Sequence, residues 1–264
     1  WSKNTALKRQ ILMNRGWIMN IYRILGFIER VAQYYQGKGY GSASIDSEVR
    51  SVKKLLNSSS DIKIAIDIGG NIGKYTDALM KVFPEAEVHI FEPQKINIEK
   101  LKLKFIEQRN IKIQQLGVSN KNDTMTLYSN KNGSGLASLS KRKLDHFGID
   151  FNLEEKVEVI KFEDYWINNL NKREIGLLKM DIEGHELHAL KGLGEAIKHI
   201  QAIQIEFGGA NIDTRTFFQD FWYFFKQHNY ELFRITPFGI QKIAMYKERD
   251  EFFSTTNFIA IRKV

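Results

Sequence analysis

The sequence predicts an α/β fold, a doubly wound and mainly parallel sheet preceded by a helical appendage. Three observations carry this. From Ile62 onward, short β-branched runs alternate with amphipathic stretches, the pattern of a parallel sheet buried between two helix layers. A glycine-rich turn, "DIGGNIG" (67–73), falls at the first strand-to-helix junction, where doubly wound sheets bind their ligands. The stretch 5–35 has helical periodicity but is set off by "GKGYGSAS" (37–44), a Gly/Ser-rich segment expected to be a flexible junction.

Taken in order, Ile11, Leu12, Ile18, Ile21, Tyr22, Leu25 and Ile28 recur at roughly helical spacing, punctuated by Arg9, Arg15, Arg23 and Arg30. The plain reading of 1–45 is a helical appendage on a main domain spanning 46–264. Sharper readings make it a dimer arm, a substrate lid or a basic helix on a membrane surface. Asp46 is placed to cap a helix over 47–57, closed by the loop "NSSSD" (57–61). "IKIAIDI" (62–68) is the first strand. Tyr75, Ala78, Leu79, Val82 and Phe83 form an apolar stripe that Pro84 ends. "AEVHIF" (86–91) is the second strand, Ile98, Leu101 and Phe105 mark the second helix, and "IKIQQLGV" (111–118) is the third strand.

The rhythm breaks at 119–165. "MTLY" (125–128) and "VEVIKF" (157–162) read as strands around a polar loop, 129–143, expected to be an inserted flap. It resumes with the strand "IGLLKM" (175–180), a helix carrying Leu187, Leu190 and Leu193, and the strand "QAIQIEF" (201–207). The aromatic stripe in 216–228 fits a core-facing helix better than a cofactor box. "YELFRI" (230–235) and "NFIAIRK" (257–263) can pair as the last two strands.

With 264 residues, 43% of them hydrophobic, the chain can bury a real core. It contains no cysteine, which excludes disulfides and thiolate metal sites and agrees with a cytoplasmic location. No apolar run approaches the roughly 20 residues of a membrane span. Trp1 in place of an initiator Met fits a chain trimmed or cut from a longer protein. The net charge of +8 would suit an anionic partner, but the Lys and Arg are scattered without a long basic block, so nucleic acid is not an expected partner.

The glycine turn reads Asp-x-Gly-x-Asn-x-Gly, from Asp67 through Gly69 and Asn71 to Gly73, not the G-x-G-x-x-G of dinucleotide sites. Asp67 would repel a pyrophosphate and attract an ammonium group. S-adenosylmethionine carries an ammonium, a carboxylate, a sulfonium and a ribose. Glu92 lies 25 positions after Asp67, at the end of the second strand, where a carboxylate can accept hydrogen bonds from ribose hydroxyls. A turn acid and a strand-end acid are weak signals separately; with the glycine loop they form a constellation.

That constellation resembles class I S-adenosylmethionine-dependent methyltransferases. "LLKMDIEGHELHALKG" (177–192) resembles more specifically the FkbM family, in which a strand ends in Lys-x-Asp-x-Glu-Gly-x-Glu and a helix carries Leu-Lys-Gly. "IDIGGNIGKYT" resembles that family's glycine loop, with Gly70 where Ala is usual. "GVSN" (117–120) resembles its segment after strand three, with Asn120 replacing a common acid. The resemblance covers about 62–207 and excludes 1–45. It implies a seven-stranded sheet ending in an antiparallel hairpin. It also implies methyl transfer to a hydroxyl of a sugar, glycan or secondary metabolite. The cofactor residues it suggests are Asp67, Gly69, Asn71, Gly73, Thr76, Glu92, Val118 and Asp181.

An alcohol needs a base to take its proton. His185 is the first candidate, because its ordinary pKa lies near neutrality, with Glu183 and Glu206 as alternatives. Lys179 and Glu186 are expected to form a structural ion pair. A divalent ion held by Asp181, Glu183 and His185 is the metal alternative, but the mixed donor set suits magnesium and manganese poorly; the expectation is a metal-free site. Two other function classes compete: a methyltransferase for RNA or protein, and a non-catalytic scaffold. Against the first, no Asn/Asp-Pro-Pro-Tyr segment follows strand four. A homo-oligomer is compatible with everything above.

Overall fold

A computed structural model describes residues 20–41, 45–56 and 62–263. Within the appendage, residues 20–35 form helix α1; the expected helix over 5–19 lies outside the described residues. Helix α2 (Ile45–Leu55) starts earlier than expected, so Asp46 sits in its first turn instead of capping it. The described part of the expected flexible junction, 37–41, is attached to the sheet. Gly41 N–H donates to the Thr255 carbonyl at 3.0 Å, and Asn257 Nδ2 donates to the Gly41 carbonyl at 3.0 Å.

The alternating part follows: β1 (Ile64–Ile68), α3 (Lys74–Val82), β2 (Glu87–Phe91), α4 (Lys95–Lys104) and β3 (Ile111–Gln114). The run 111–118 is not one strand. After β3 the chain leaves the main sheet, and β4 (Gly117–Ser119) pairs in parallel with β6 (Leu153–Lys161), which pairs antiparallel with β5 (Asp123–Ser129). Gly117 permits the crossing, since a Cβ there would meet Val159 Cγ1 at 2.9 Å. The insertion is therefore a small three-stranded sheet.

Helix α5 (Phe162–Asn168) leads back to β7 (Ile175–Met180), α6 (Glu186–Lys191) and β8 (Ile200–Phe207). A short helix, α7 (Ala210–Thr214), precedes α8 (Phe218–Gln227), and the chain closes with β9 (Tyr230–Thr236), β10 (Gly239–Lys242) and β11 (Thr256–Arg262). The main sheet has the order β10-β9-β11-β8-β7-β1-β2-β3. Its centre is parallel, while β11 pairs antiparallel with both β8 and β9. The expected seven strands are all present; the eighth, β10, is a hairpin extension of β9 at the edge.

Strand alternation sorts the core to the two faces. Ile64, Ile66 and Ile68 point into one cluster with Phe218, Phe221 and Phe225 of α8, so the aromatic stripe is core. Ala65 points the other way, toward Val49 and Val52 of α2 and Leu79 of α3. Asp67 points that second way too and is buried. That placement calls for a partner.

Candidate functional site

Register supplies the partner. Asp67 on β1 is paired with Lys179 on β7, and Lys179 with Gln204 on β8, so these three polar side chains form a row across one sheet face. Lys179 Nζ lies 3.3 Å from Asp67 Oδ1 and 3.6 Å from Asp181 Oδ2. Burial opposes the Lys179 charge, but Asp67, Asp181 and Glu48 outweigh it and raise the Lys179 pKa. Thr76, fully buried, donates to Asp67 Oδ2 at 2.7 Å. Gln204 donates to Glu48 Oε2 at 2.7 Å and accepts from the Tyr75 hydroxyl at 2.7 Å.

The glycine loop is pinned beside this row. Gly69 and Gly70 N–H both donate to the Phe91 carbonyl at the end of β2. Gly69 has φ 81°, and a Cβ there would lie 2.0 Å from the Asp181 carbonyl oxygen, so no other residue fits. Gly73, at φ 74°, packs against the Phe105 ring, where a Cβ would come within 2.5 Å.

Glu92 is nearly fully buried and fully oriented. Its Oε2 accepts the Asn71 N–H at 2.9 Å, and its Oε1 accepts the Gln94 N–H at 2.9 Å and Asn97 Nδ2 at 3.4 Å. Burial raises its pKa, and these three donors work against the rise. A cavity opens over Glu92, with Phe91, Leu116, Val118, Leu127 and Ile182 as apolar walls. The flap covers it: Ser134, Gly135, Ala137 and Leu139 line the same space. Gln94 Nε2 holds the Ser134 carbonyl at 2.9 Å, and Ser138 Oγ donates to the Glu183 carbonyl at 2.7 Å. Asn71 Oδ1 is buried on this loop without a hydrogen-bond partner.

A second cavity shares Gly69, Asn71 and Asp181 with the first. Its character differs: Glu48, Asp181 and Glu206 line it, with Lys74 and Lys179 as the cations. Glu206 stands beside Asn257, its register partner on β11. Burial, then the charges of Asp181, Glu183, Glu186 and Glu48, push the Glu206 pKa well above the ordinary carboxyl value. Burial raises Glu48 to about 7, with Lys179 opposing.

Of the expected cofactor residues, Gly69, Asn71, Glu92, Val118 and Asp181 line a cavity. Asp67, Gly73 and Thr76 do not. Thr76 donates to Asp67 Oδ2 and Lys179 lies 3.3 Å from Asp67 Oδ1, which accepts no hydrogen bond; these residues flank the loop from behind.

Of the expected bases, His185 lies away from both cavities. It is 4% exposed, its Nε2 lies 2.9 Å from Ser119 Oγ, and its ring stacks on His188. Burial, then His188, lowers its pKa to about 4, and it lines neither cavity. The buried pocket behind β4 claims it as a packed residue at the start of α6. Glu183, at φ 52°, lines the first cavity but pairs with Arg142; burial, then Asp181, raises it to about 8 against the pull of Arg142. Glu206 lines the second cavity. The expected Lys179–Glu186 pair does not form; Glu186 Oε1 instead accepts the Ile182 and Gly184 N–H groups at 2.9 and 3.3 Å. Asp181, Glu183 and His185 do not converge, and among the described residues no group of three His, Asp or Glu side chains could hold a metal ion.

Two site residues escaped the sequence reading. Glu48 was legible only as a helix-start acid, because its partner Gln204 is 156 positions away. Arg142 sits in the polar flap, and only the fold brings it to Glu183 and to Asp213, 3.5 Å from Nε.

A mainly parallel sheet closed by antiparallel strands, a glycine loop after β1 and a buried acid after β2 together define the Rossmann-like methyltransferase fold. A family model, the methyltransferase FkbM domain, matches residues 67–232, and the chain belongs to the FkbM methyltransferase family. It is 25% identical over 150 residues to Methyltransferase 1 of Beauveria bassiana (strain ARSEF 2860), across 51% of this chain and 60% of that relative. Among solved structures, an FkbM methyltransferase from Methylobacillus flagellatus KT aligns at 17% identity with TM-score 0.47, covering 89% of this chain and 60% of that one. A putative rRNA methylase from Clostridium thermocellum aligns at 10% identity with TM-score 0.47, covering 83% and 96%. The chain thus spans only part of the length of its first relatives.

Proposed function

We propose that the chain methylates a hydroxyl of a small-molecule or glycan acceptor, using S-adenosylmethionine. The observation that carries this is the pair of unlike cavities joined at Gly69, Asn71 and Asp181. The residues fit the cofactor. Apolar walls suit a flat base, Glu92 offers an oriented carboxylate to ribose hydroxyls, and Asn71 Oδ1 offers an acceptor that lacks a partner. When bound, S-adenosylmethionine supplies an electrophilic methyl group on a sulfonium.

In this reading Glu206 accepts a hydrogen bond from the acceptor hydroxyl and takes its proton. Asp181 sits at the junction and orients both ligands. Lys179 balances the acids beneath them. The acid-lined second cavity disfavours a phosphate backbone and favours a neutral polyhydroxyl acceptor. The cytoplasmic setting expected from the lack of cysteine is kept, as is a metal-free site. Among the described residues no helix is long and apolar enough to cross a membrane.

Calorimetric titration with S-adenosylmethionine and S-adenosylhomocysteine, with and without EDTA, tests the reading, followed by a screen of hydroxylated sugars for product release. Micromolar binding indifferent to EDTA, together with turnover of a hydroxylated acceptor, is expected. Absence of binding would reduce the glycine loop to a structural turn and favour a scaffold.

A further inference from the structure

Helix α1 carries more apolar surface than the fold uses. At about 100° per residue, Ile21, Ile24, Leu25, Phe27, Ile28 and Tyr34 sweep roughly half its circumference. Ile24, Phe27 and Ile28 are 57%, 60% and 55% exposed. Arg23 and Arg30 border the arc, and both are exposed. Among the described residues the helix meets the sheet at its C-terminal end, where Tyr35 stacks on Phe238 with ring centroids 5.2 Å apart. Phe238, in the β9–β10 turn, is itself 81% exposed.

The helix end opens into a groove that contains Lys38, Arg234, Lys242, Lys247 and Arg249 against the single acid Asp250. Arg234 is spent on Asp250 at 3.3 Å and Lys242 on Glu231 at 2.6 Å. Lys38 donates to the Arg249 carbonyl at 3.2 Å, and among the described residues no carboxylate pairs with Lys38, Lys247 or Arg249. Met245, lining the same groove, is 64% exposed. Exposed apolar groups and unpaired cations thus lie side by side.

We propose that α1 and this groove form a docking face for an anionic lipid bilayer. An apolar arc half a helix wide, edged by arginines, suits a helix lying in the headgroup boundary. A second copy would need only a narrow seam and would leave the cations facing one another. The cations supply the complementary charge for the bilayer, each strengthening binding about fivefold at an anionic surface. The inference stands apart from the methyl-transfer reading, since it uses none of the cavity residues. It would hold the acceptor cavity, whose wall begins at Gly41 and Ile45, a few residues from the lipid.

The test is flotation of the full chain with phosphatidylcholine vesicles and with equimolar phosphatidylcholine–phosphatidylglycerol vesicles, in low and high salt. Binding to the anionic vesicles alone, weakened by salt, is expected. Ile24→Glu with Ile28→Glu should abolish it, and Lys247→Gln with Arg249→Gln should weaken it about 25-fold, with unchanged Tm in both. Equal recovery on both vesicles, no recovery, or recovery that survives Ile24→Glu with Ile28→Glu overturns the proposal. A concentration-dependent dimer lost in that double variant, without vesicle binding, assigns the face to a second copy.

Discussion

Glu92 and Glu206 occupy comparable positions, each at or just past the carboxyl end of a parallel strand in the same sheet, yet their surroundings are opposite. Three donors converge on Glu92, two of them backbone N–H groups. None of the described residues donates a hydrogen bond to Glu206; the charged groups acting on it are other carboxylates. A carboxylate supplied with donors is oriented and favoured in its charged form, which suits recognition. One surrounded by acids holds a proton readily and gives it up when positive charge arrives, which suits proton transfer. The difference predicts separate roles in binding and in chemistry.

The largest expected effect is on Glu206. Glu206→Gln removes the proton acceptor, so acceptor turnover should fall about 100-fold or more, while S-adenosylhomocysteine affinity stays within a few-fold by calorimetry. The same variant sharpens the comparison through stability. The folded pKa of Glu206 lies above its ordinary 4.5, so the folded state holds the extra proton between those values. Stability is then full below pH 4.5 and is lost as pH rises through the folded pKa. The amide cannot lose a proton, and Glu206→Gln should raise Tm at about pH 8 by roughly 2–4 °C. Lower turnover with a lower Tm would mean simple damage.

Glu92→Ala comes next. It removes a charged hydrogen-bonding group whose contribution is about 1.5–3 kcal/mol, so cofactor affinity should drop about 10- to 100-fold. The maximal rate at saturating cofactor should change far less. Equal losses in affinity and maximal rate would collapse the distinction between the two glutamates.

A smaller effect is expected with pH. Glu48, raised to about 7, and Glu183, raised to about 8, flank the cavities. A bound cation lowers both pKa values, so binding releases protons and strengthens as pH rises. Between about pH 6 and about pH 9, S-adenosylmethionine affinity should rise several-fold and S-adenosylhomocysteine affinity, without the sulfonium, should rise less. Parallel curves for the two ligands would show that these acids do not sense the sulfonium.

What the sequence made legible follows from separation along the chain. The strands, the glycine loop, Glu92 and the FkbM segment are each local, so periodicity and spacing reveal them. Residues such as Glu48 and Arg142 depend on pairing across the sheet or on the path of the flap. The splitting of 111–118 into β3 and β4 was hidden because both halves contain β-branched residues and no proline separates them. Asp67 was legible as an important acid, but its pairing with Lys179 was not, because that is set by β1–β7 register. His185 is where spacing and fold diverge most. Its motif places it two residues from Glu183, yet the left-handed turn at Glu183 and Gly184, φ 52° and 96°, sends the following chain away from the cavity.

That turn frames the smallest expected effect on activity. His185 is buried against Ser119 and His188, so His185→Ala removes packing and leaves the Ser119 hydroxyl only its 3.3 Å bond to Asn120 Oδ1, at a cost of about 1–3 kcal/mol. Tm should fall by several degrees, whereas acceptor turnover, measured well below that Tm, should stay within a few-fold of the parent chain. Since Nε2 faces Ser119, a base at this position would have to turn out of its pocket before meeting any acceptor. A 100-fold loss of turnover with unchanged Tm would require that rearrangement, and would move the chemistry from β8 back to the turn after β7.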